Sequence, residues 1–449
     1  MLSLSGPPGP KEHAWLGHLS EYGKDPLAFL TRCAREYGDV VQLRFPFRTR
    51  VYLLNHPKEI EEVLGADNGG FVRHKGMRLR PTQRLLGNGL LTSEGKFSHT
   101  QRRLALPAFH REKVAAYGET MTAFTNRMLA SWQPGQIRDV HHDMMRLTLQ
   151  IVAKTLFNVD VTKATGDLAS AALSLLKDEF TAQRNSFRSL GAILALPLSR
   201  HARKAMRQLD GIVSGIIRQR QEGEDETGDL LSLLLSARDQ EGHKLSEQQV
   251  RDDAMTFFFA GHEATGLALT WAWYLLAQNP QAEAQLCAEL RTVLRGRCPT
   301  AMDLPRLNYT SAVVKEALRL YPPAWAIGRE TLRDCVISGY HAPAGTQLIM
   351  SQWVTHRDPR HFAEPEKFRP DRWNDDLSKR LPKYAYFPYG GGVRVCIGKA
   401  FAEMETVLLL ATIAQRFRLT QEPDHLVTLL PSFALLPKNG VKMILAERH

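Results

Sequence analysis

The stretch Phe387-Pro388-Tyr389-Gly390-Gly391-Gly392-Val393-Arg394-Val395-Cys396-Ile397-Gly398-Lys399 carries a cysteine out of a glycine-rich loop to the start of a helical pattern. The chemistry offered by such a placement is metal ligation through a thiolate. A helix start presents unpaired backbone N–H groups and a positive dipole end, both of which favour thiolate over thiol. Glycines let the backbone approach a flat cofactor closely. Taken alone, a lone cysteine is more commonly a small buried hydrophobe. A phosphate-binding loop is a further alternative, but Gly-x-x-x-x-Gly-Lys-Ser/Thr requires glycine where Val393 stands and a hydroxyl where Ala400 stands.

Other segments place polar groups where apolar ones are expected. Phe257-Phe258-Phe259-Ala260-Gly261-His262-Glu263-Ala264-Thr265-Gly266 lies in a helical stretch from Arg251 to Gln278 that is apolar on most sides. His262-Glu263 begins the zinc-protease motif His-Glu-x-x-His, but Gly266 occupies the second histidine position. In Lys315-Glu316-Ala317-Leu318-Arg319-Leu320 a carboxylate and a guanidinium stand three apart on one helix face. An exposed pair of that kind contributes less than about 1 kcal/mol, but the flanking Ala317, Leu318 and Leu320 indicate burial, and Phe368-Arg369-Pro370-Asp371-Arg372-Trp373 supplies another arginine downstream.

These segments together resemble the cytochrome P450 family. The loop is similar to that family's haem-binding signature, Phe-x-x-Gly-x-Arg-x-Cys-x-Gly, with Gly392, Arg394, Cys396 and Gly398 in place. Tyr389 stands at the leading Phe, with Phe387 upstream, so an aromatic ring over the cysteine is kept. The resemblance implies Cys396 as the iron ligand of a b-type haem and Arg394 as a partner of a haem propionate. Phe97-Ser98-His99-Thr100-Gln101-Arg102 is similar to the family's Trp-x-x-x-Arg helix, with Ser98 replacing Trp and Arg102 at a propionate; Arg329, following Tyr321-Pro322-Pro323-Ala324-Trp325, is implied at the other. Ala260, Gly261, Glu263 and Thr265 match the distal-helix motif Ala/Gly-Gly-x-Asp/Glu-Thr-Thr/Ser, which puts Gly261 beside the haem. Ala264 departs from it, standing where the family's first threonine helps deliver protons to dioxygen. Thr265 faces about 100° further round the helix, so the implied proton machinery is Glu263, Ala264 and Thr265. Glu316, Arg319 and Arg372 are implied as a buried structural network. Phe180, Phe187, Ala324, Trp325 and Phe433 are implied as pocket lining for a hydrophobic or amphipathic substrate.

The implied activity is insertion of one oxygen atom from O2 into a hydrophobic organic substrate. Too few residues follow Cys396 for a flavin- or NADPH-binding domain, so electrons are expected from a separate donor such as a ferredoxin or flavodoxin with its reductase, docking on Lys379, Arg380, Lys383 and Lys399. With Ala264 in place of threonine, a peroxide-driven peroxygenase or an isomerase on the same haem stays open. A non-catalytic haem-thiolate sensor is the alternative from another class.

The elements that must position these residues are legible in outline. Val40–Phe45 and Arg50–Leu54 read as strands of a hairpin. From about residue 110 to 320 apolar residues recur at helical spacing, with Asn279-Pro280 between two long helices, and a last helix spans about 398–416. The expected fold is mainly α with small β-sheets, the cytochrome P450 fold, as one catalytic domain over 1–449. Its helix-rich core covers about 90–330 and 398–416, and its minor β lobe about 38–65 and 330–350. With 449 residues, 43% hydrophobic and 23% charged, the chain has an ordinary globular composition. Lys and Arg number 58 against 47 Asp and Glu, a net charge of +11, but the basic residues read as scattered among acids, which argues against nucleic acid. Cys33, Cys287, Cys298, Cys335 and Cys396 are odd in number and form no Cys-x-x-Cys, so neither a disulfide framework nor a zinc site is expected. A reducing, cytoplasmic setting and a monomer are the expectation, with no membrane span in the apolar pattern.

Overall fold

Apolar residues spaced three and four apart become long helices through the middle of the chain, and short alternating runs toward both ends become strands. The computed structural model describes residues 6–11, 17–46, 49–65, 70–73, 80–160, 199–223, 228–238 and 242–448. The helices that bear on the site are α1 (Pro57–Leu64), α2 (Gly95–Ala105), α3 (Arg111–Leu129), α4 (Val140–Phe157), α5 (Arg200–Glu222), α6 (Glu247–Gln278), α7 (Asn308–Leu320) and α8 (Lys399–Arg416). Side-chain caps set several starts. Asp139 accepts from the amides of His141 and His142 ahead of α4, and Ser246 accepts from Gln249 N–H ahead of α6. Asn279-Pro280 ends α6 as expected.

At 32 residues, or about 48 Å, α6 is buried along most of its length. It packs along α4, while α8 packs on α3, α6 and α7, so the cysteine's helix and the long helix share one core. Two glycines permit the close α4–α6 approach. A Cβ at Gly266 would stand 2.9 Å from Met145 Sδ and 3.2 Å from its Cα, and one at Gly261 would stand 3.2 Å from Val152. Fully burying a Leu side chain stabilises by about 1.5–3 kcal/mol, and Leu269, Leu408, Leu409 and Leu410 are each at 0% exposure in this core.

The β lobe is a mixed sheet of β1 (Val40–Phe45), β2 (Thr49–Leu54), β3 (Phe71–Arg73), β4 (Ile327–Thr331) and β5 (Gln347–Met350), in the order β1-β2-β5-β4-β3. The hairpin pairs antiparallel with Val40 opposite Leu54; β2 runs parallel to β5, and β4 is antiparallel to both β5 and β3. Near the C-terminus β6 (Leu429–Pro431) and β7 (Leu435–Pro437) form a small hairpin. No helix among the described residues is long and apolar enough to cross a membrane.

Candidate active site

The cysteine loop is shaped by glycines that nothing larger could replace. Gly390 and Gly392 have φ of 71° and 61°, and a Cβ on Gly392 would lie 1.7 Å from the Leu64 carbonyl oxygen at the end of α1. A Cβ on Gly391 would lie 2.0 Å from the Tyr384 ring. The loop closes when Cys396 N–H donates to the Tyr389 carbonyl at 2.9 Å, and Gly398 then caps α8. Phe387 is buried, its amide donating to His356 Nε2 at 2.9 Å; Tyr389 sits under the Lys399 ammonium, 5.8 Å from its ring centre.

Cys396 keeps accessible surface although protein atoms enclose its sulfur on nearly every side, so that surface faces an internal cavity. Burial pushes its thiol above the usual range, while the Gly398 N–H and the Arg102 charge pull the other way. The net direction is upward. The Gly398 N–H acts in the direction expected of a helix start, but desolvation outweighs the favourable contacts; a metal ion at a coordinating thiol removes its proton outright.

Arginines gather beside the loop. Arg102 donates to the Val395 carbonyl at 2.7 Å. Arg394 donates to Glu94 at 2.6 Å, to the Ser93 carbonyl at 3.1 Å and to the Ser98 hydroxyl. Arg329 is held down to about 10 by burial and by the neighbouring Arg394, and among the described residues its guanidinium donates only to its own chain neighbour, the Gly328 carbonyl, at 3.0 Å. Among the described residues, Glu94 is the one carboxylate paired with any of these three guanidiniums, leaving room for two more negative charges. A desolvated, under-bonded guanidinium is costly unless an anion completes it. A dicarboxylate haem, with an iron for the Cys396 sulfur, fits these residues. Ser98, where the family pattern has Trp, spends its hydroxyl on Arg394, and a 20 Å³ void lined by Leu90, Ser98, His99, Arg102, Val393 and Arg394 remains beside it. His99 is on this void and largely exposed.

The opposing wall comes from α6. Phe257, Ala260 and Ala264 fall on one face of that helix. Phe257 stacks on Phe109 at 5.7 Å between ring centres, and Phe109 lies 3.7 Å from where a Gly398 Cβ would be. Within a helix otherwise buried at this level, Ala260 and Ala264 are exposed, on the same helix face as Phe257. Glu263 and Thr265 flank this face and are buried. Gly261 turns its bare side to Val152 of α4, which gives it a packing role.

Thr265 faces a residue that the sequence reading missed. Glu405 on α8 is fully buried, neither carboxyl oxygen has a full hydrogen bond, and burial pushes its carboxyl far above the carboxylate range, opposed only by the Thr265 hydroxyl. The signal was present as an acid inside the apolar run Met404–Ala414. Asp252 and Asp253 on α6 were also missed. They accept from the amides of Asn88 (2.8 Å) and Leu90 (3.0 Å) and from Gln101, clamping the segment that leads into α2 and its Arg102. Burial pushes Asp253 up to about 6.

Behind the loop, Glu316 and Arg319 are completely buried and doubly bonded, at 2.8 and 2.9 Å. Glu316 also accepts from Arg372, the Trp373 indole and the Arg369 amide, and Arg319 donates to the carbonyls of His356, Pro365 and Lys367. His356, likewise missed, joins this network to the loop through Phe387, and burial with two nearby arginines holds it well below the ordinary imidazole range.

Of the residues implied as pocket lining, Phe433 packs edge-on against Phe259 of α6 at 5.7 Å and stays half exposed, and Ala324 is exposed. Trp325 is buried with its indole N–H donating to the Ser432 carbonyl, so it braces the β6–β7 turn. Phe180 and Phe187 lie outside the described residues. A larger cleft of 720 Å³, between Lys24–Glu36 and Trp353–Arg357, contains no residue of the cysteine loop or of α6. Volume alone therefore does not locate this site.

Residues 7–444 match the family model described as cytochrome P450. The chain is 38% identical to cyclooctatin synthase of Streptomyces melanosporofaciens, over 93% of this chain and 91% of that protein. It is 37% identical to cyclooctat-9-en-7-ol 5-monooxygenase of the same organism (91% and 88% covered) and 33% identical to pentalenene oxygenase of Streptomyces avermitilis (91% and 90% covered). Among solved structures it is similar to the cytochrome P450DA heme domain, with TM-score 0.87 and 28% identity over 99% of this chain and 98% of that one. It is also similar to retinoic acid-bound cyanobacterial CYP120A1, with TM-score 0.86 and 26% identity over 99% and 100%.

Proposed function

The chain belongs to the cytochrome P450 family, and from that premise we propose that it is a monooxygenase acting on a cyclic, largely hydrocarbon substrate of terpenoid kind, with haem b and a separate electron donor. The observation that carries this reading is the cavity wall. One side holds the Cys396 sulfur and a surplus of guanidinium, and the exposed positions in the middle of α6 are the apolar Ala260 and Ala264, with Phe257 on the same helix face. Such a wall recognises apolar shape and excludes water, and it offers a substrate few hydrogen bonds, as a hydrocarbon requires. Relatives named for cyclooctat-9-en-7-ol and pentalenene support the substrate class.

When bound, the haem would supply dioxygen activation and transfer of one oxygen atom to a C–H bond. Cys396 would hold the iron, and Arg102, Arg329 and Arg394 would hold the propionates. Ala264 leaves the wall without a hydroxyl, so the proton-bearing groups at hand are Glu405, whose burial favours the protonated carboxyl, Thr265 Oγ1 against it, and Glu263. A peroxide-driven reaction is the second reading, favoured by Ala264 alone.

Titration of the ferric protein with cyclic terpenoids, fatty acids and steroids, following the haem absorption band, tests the reading. A shift toward the high-spin form with cyclic terpenoids and not with the other classes is expected; a shift with linear fatty acids only would contradict the substrate class. Turnover with peroxide but not with an electron donor and O2 would favour the second reading.

A further inference from the structure

Two aspartates stand side by side on the buried part of α6. Asp252 is paired with Arg251 at 3.0 Å, whereas Asp253, at 1% exposure, has no ion-pair partner among the described residues. A carboxylate buried beside another and lacking a cation of its own is costly, and burial pushes Asp253 up to about 6. Packing of α6 alone would be met by an apolar residue at that position. The acid is explained by what its oxygens hold. They accept from the Leu90 N–H at 3.0 Å, from Gln249 Nε2 at 3.0 Å and from Gln101 Nε2 at 3.1 Å.

Gln101, buried on α2, is the hub of this network. Its amide nitrogen also donates to the Asn88 carbonyl at 2.9 Å, and its amide oxygen accepts from the hydroxyl of the buried Ser93. Two short paths run from the hub to the cysteine loop. Arg102 is the next residue on α2 and donates to the Val395 carbonyl, and the Ser93 carbonyl accepts from Arg394 at 3.1 Å. Fastening the chain to α6 does not need Asp253. Asp252 already accepts from the Asn88 N–H at 2.8 Å. The fit there is tight, since a Cβ on Gly87 would lie 2.0 Å from the Asp252 carboxyl and one on Gly89 2.2 Å from Thr256 Oγ1. What Asp253 adds is its bond to the hub, and through the hub a connection from α6 to two of the three arginines beside Cys396.

We propose that Asp253 is a positioning residue of the haem pocket: through Gln101 it fixes Arg102 and, by way of Ser93, Arg394 beside the cysteine loop, where they would hold the propionates. This rests on the haem-thiolate reading and extends it to a residue that does not touch the cofactor.

The test is the rate at which the ferric holoprotein loses haem to a scavenging apoprotein, read beside urea unfolding of each variant. Asp253→Asn turns one acceptor oxygen into a donor facing Gln101 and Gln249, and should speed haem loss about three- to tenfold, the worth of roughly one hydrogen bond. Gln101→Met keeps the carboxylate with its bonds to Leu90 and Gln249, so it reads the same relay even where Asp253→Asn does not fold, and should act to a similar extent. The two together should be little worse than either alone, because they break one relay. Asp143→Asn is the stability control. The Asp143 carboxylate bonds to Arg138 and not to α2 or the cysteine loop, so its loss should lower the urea midpoint and leave haem loss unchanged. The relay is overturned by wild-type haem loss in Asp253→Asn or Gln101→Met, by additive effects in the double variant, or by equally fast loss in Asp143→Asn. A wild type that takes up no haem would overturn the haem reading itself, and this proposal with it.

Discussion

Arg329 is nearly enclosed, donates among the described residues only to its own chain neighbour, and is held down to about 10. Its situation makes sense once an anion completes it, and the cost of removing it should appear in haem retention. Arg329→Leu should speed haem loss to a scavenging apoprotein by roughly ten- to a hundredfold, the worth of a charged hydrogen bond of about 1.5–3 kcal/mol. The same substitution should stabilise the haem-free protein, because it removes an under-bonded buried charge. Glu405 gives a pH prediction. Its folded-state value lies well above the ordinary 4.5, so its contribution to stability is full below about 4.5 and is lost as pH rises above that. Glu405→Gln should therefore flatten the fall of the thermal midpoint on the alkaline side. If Glu405 holds the proton the reaction uses, the same variant should divert electrons from product to peroxide, and Ala264→Thr should do the reverse. Coupling unchanged in both variants would remove position 264 and Glu405 from the proton route.

At the scale of elements, α7 and the cysteine loop are joined by polar groups with almost no access to water. Glu316→Ala would leave Arg319 charged and uncompensated at 0% exposure, a loss of about 3–5 kcal/mol, a large share of the 5–15 kcal/mol typical of a whole domain. Glu364→Ala, which breaks exposed pairs with Lys367 and Arg369, should cost less than about 1 kcal/mol. Urea unfolding distinguishes the two. His356 adds a dependence of the opposite sense to that of Glu405. Its folded value lies well below 6.5, so the stability it contributes is full above 6.5 and declines as pH falls below it. Much of this level was legible in the sequence: the hairpin of β1 and β2, the 32-residue α6, α8, and the Glu316–Arg319 pair followed by Arg372. Local periodicity and spacing within one element suffice for the strands, the helices and the Glu316–Arg319 pair, whereas the place of Arg372 beside them came from the family resemblance. Glu405, His356 and the Asp252–Asp253 clamp were not legible. Each acquires its role from a segment far away in the chain: Thr265 for Glu405, Phe387 and Arg319 for His356, Asn88 and Leu90 for the aspartates. The family resemblance implies Trp325 as pocket lining, and its bond to Ser432, a residue far away in the chain, makes it a brace of a turn.

For the molecule as a whole, a net charge of +11 matters less than where the charge is left uncompensated. Of the residues expected to receive an electron donor, Lys379 pairs with Asp376, Lys383 with Glu61 and Lys399 with Glu403, while Arg380 has no such partner among the described residues. Arg380→Gln should thus slow reduction by an acidic ferredoxin more than Lys383→Gln does, with the difference shrinking as salt is added; equal effects would mean that docking does not depend on charge at this face. Everything proposed for the cavity depends on one ligand. The most direct test is the absorption spectrum of the ferrous carbon monoxide complex of the wild type and of Cys396→His. The wild type should show the red-shifted band of thiolate ligation, and the variant should bind haem with the band of an imidazole-ligated protein. A wild-type band already of the imidazole kind, or one unmoved in Cys396→His, would contradict Cys396 as the iron ligand.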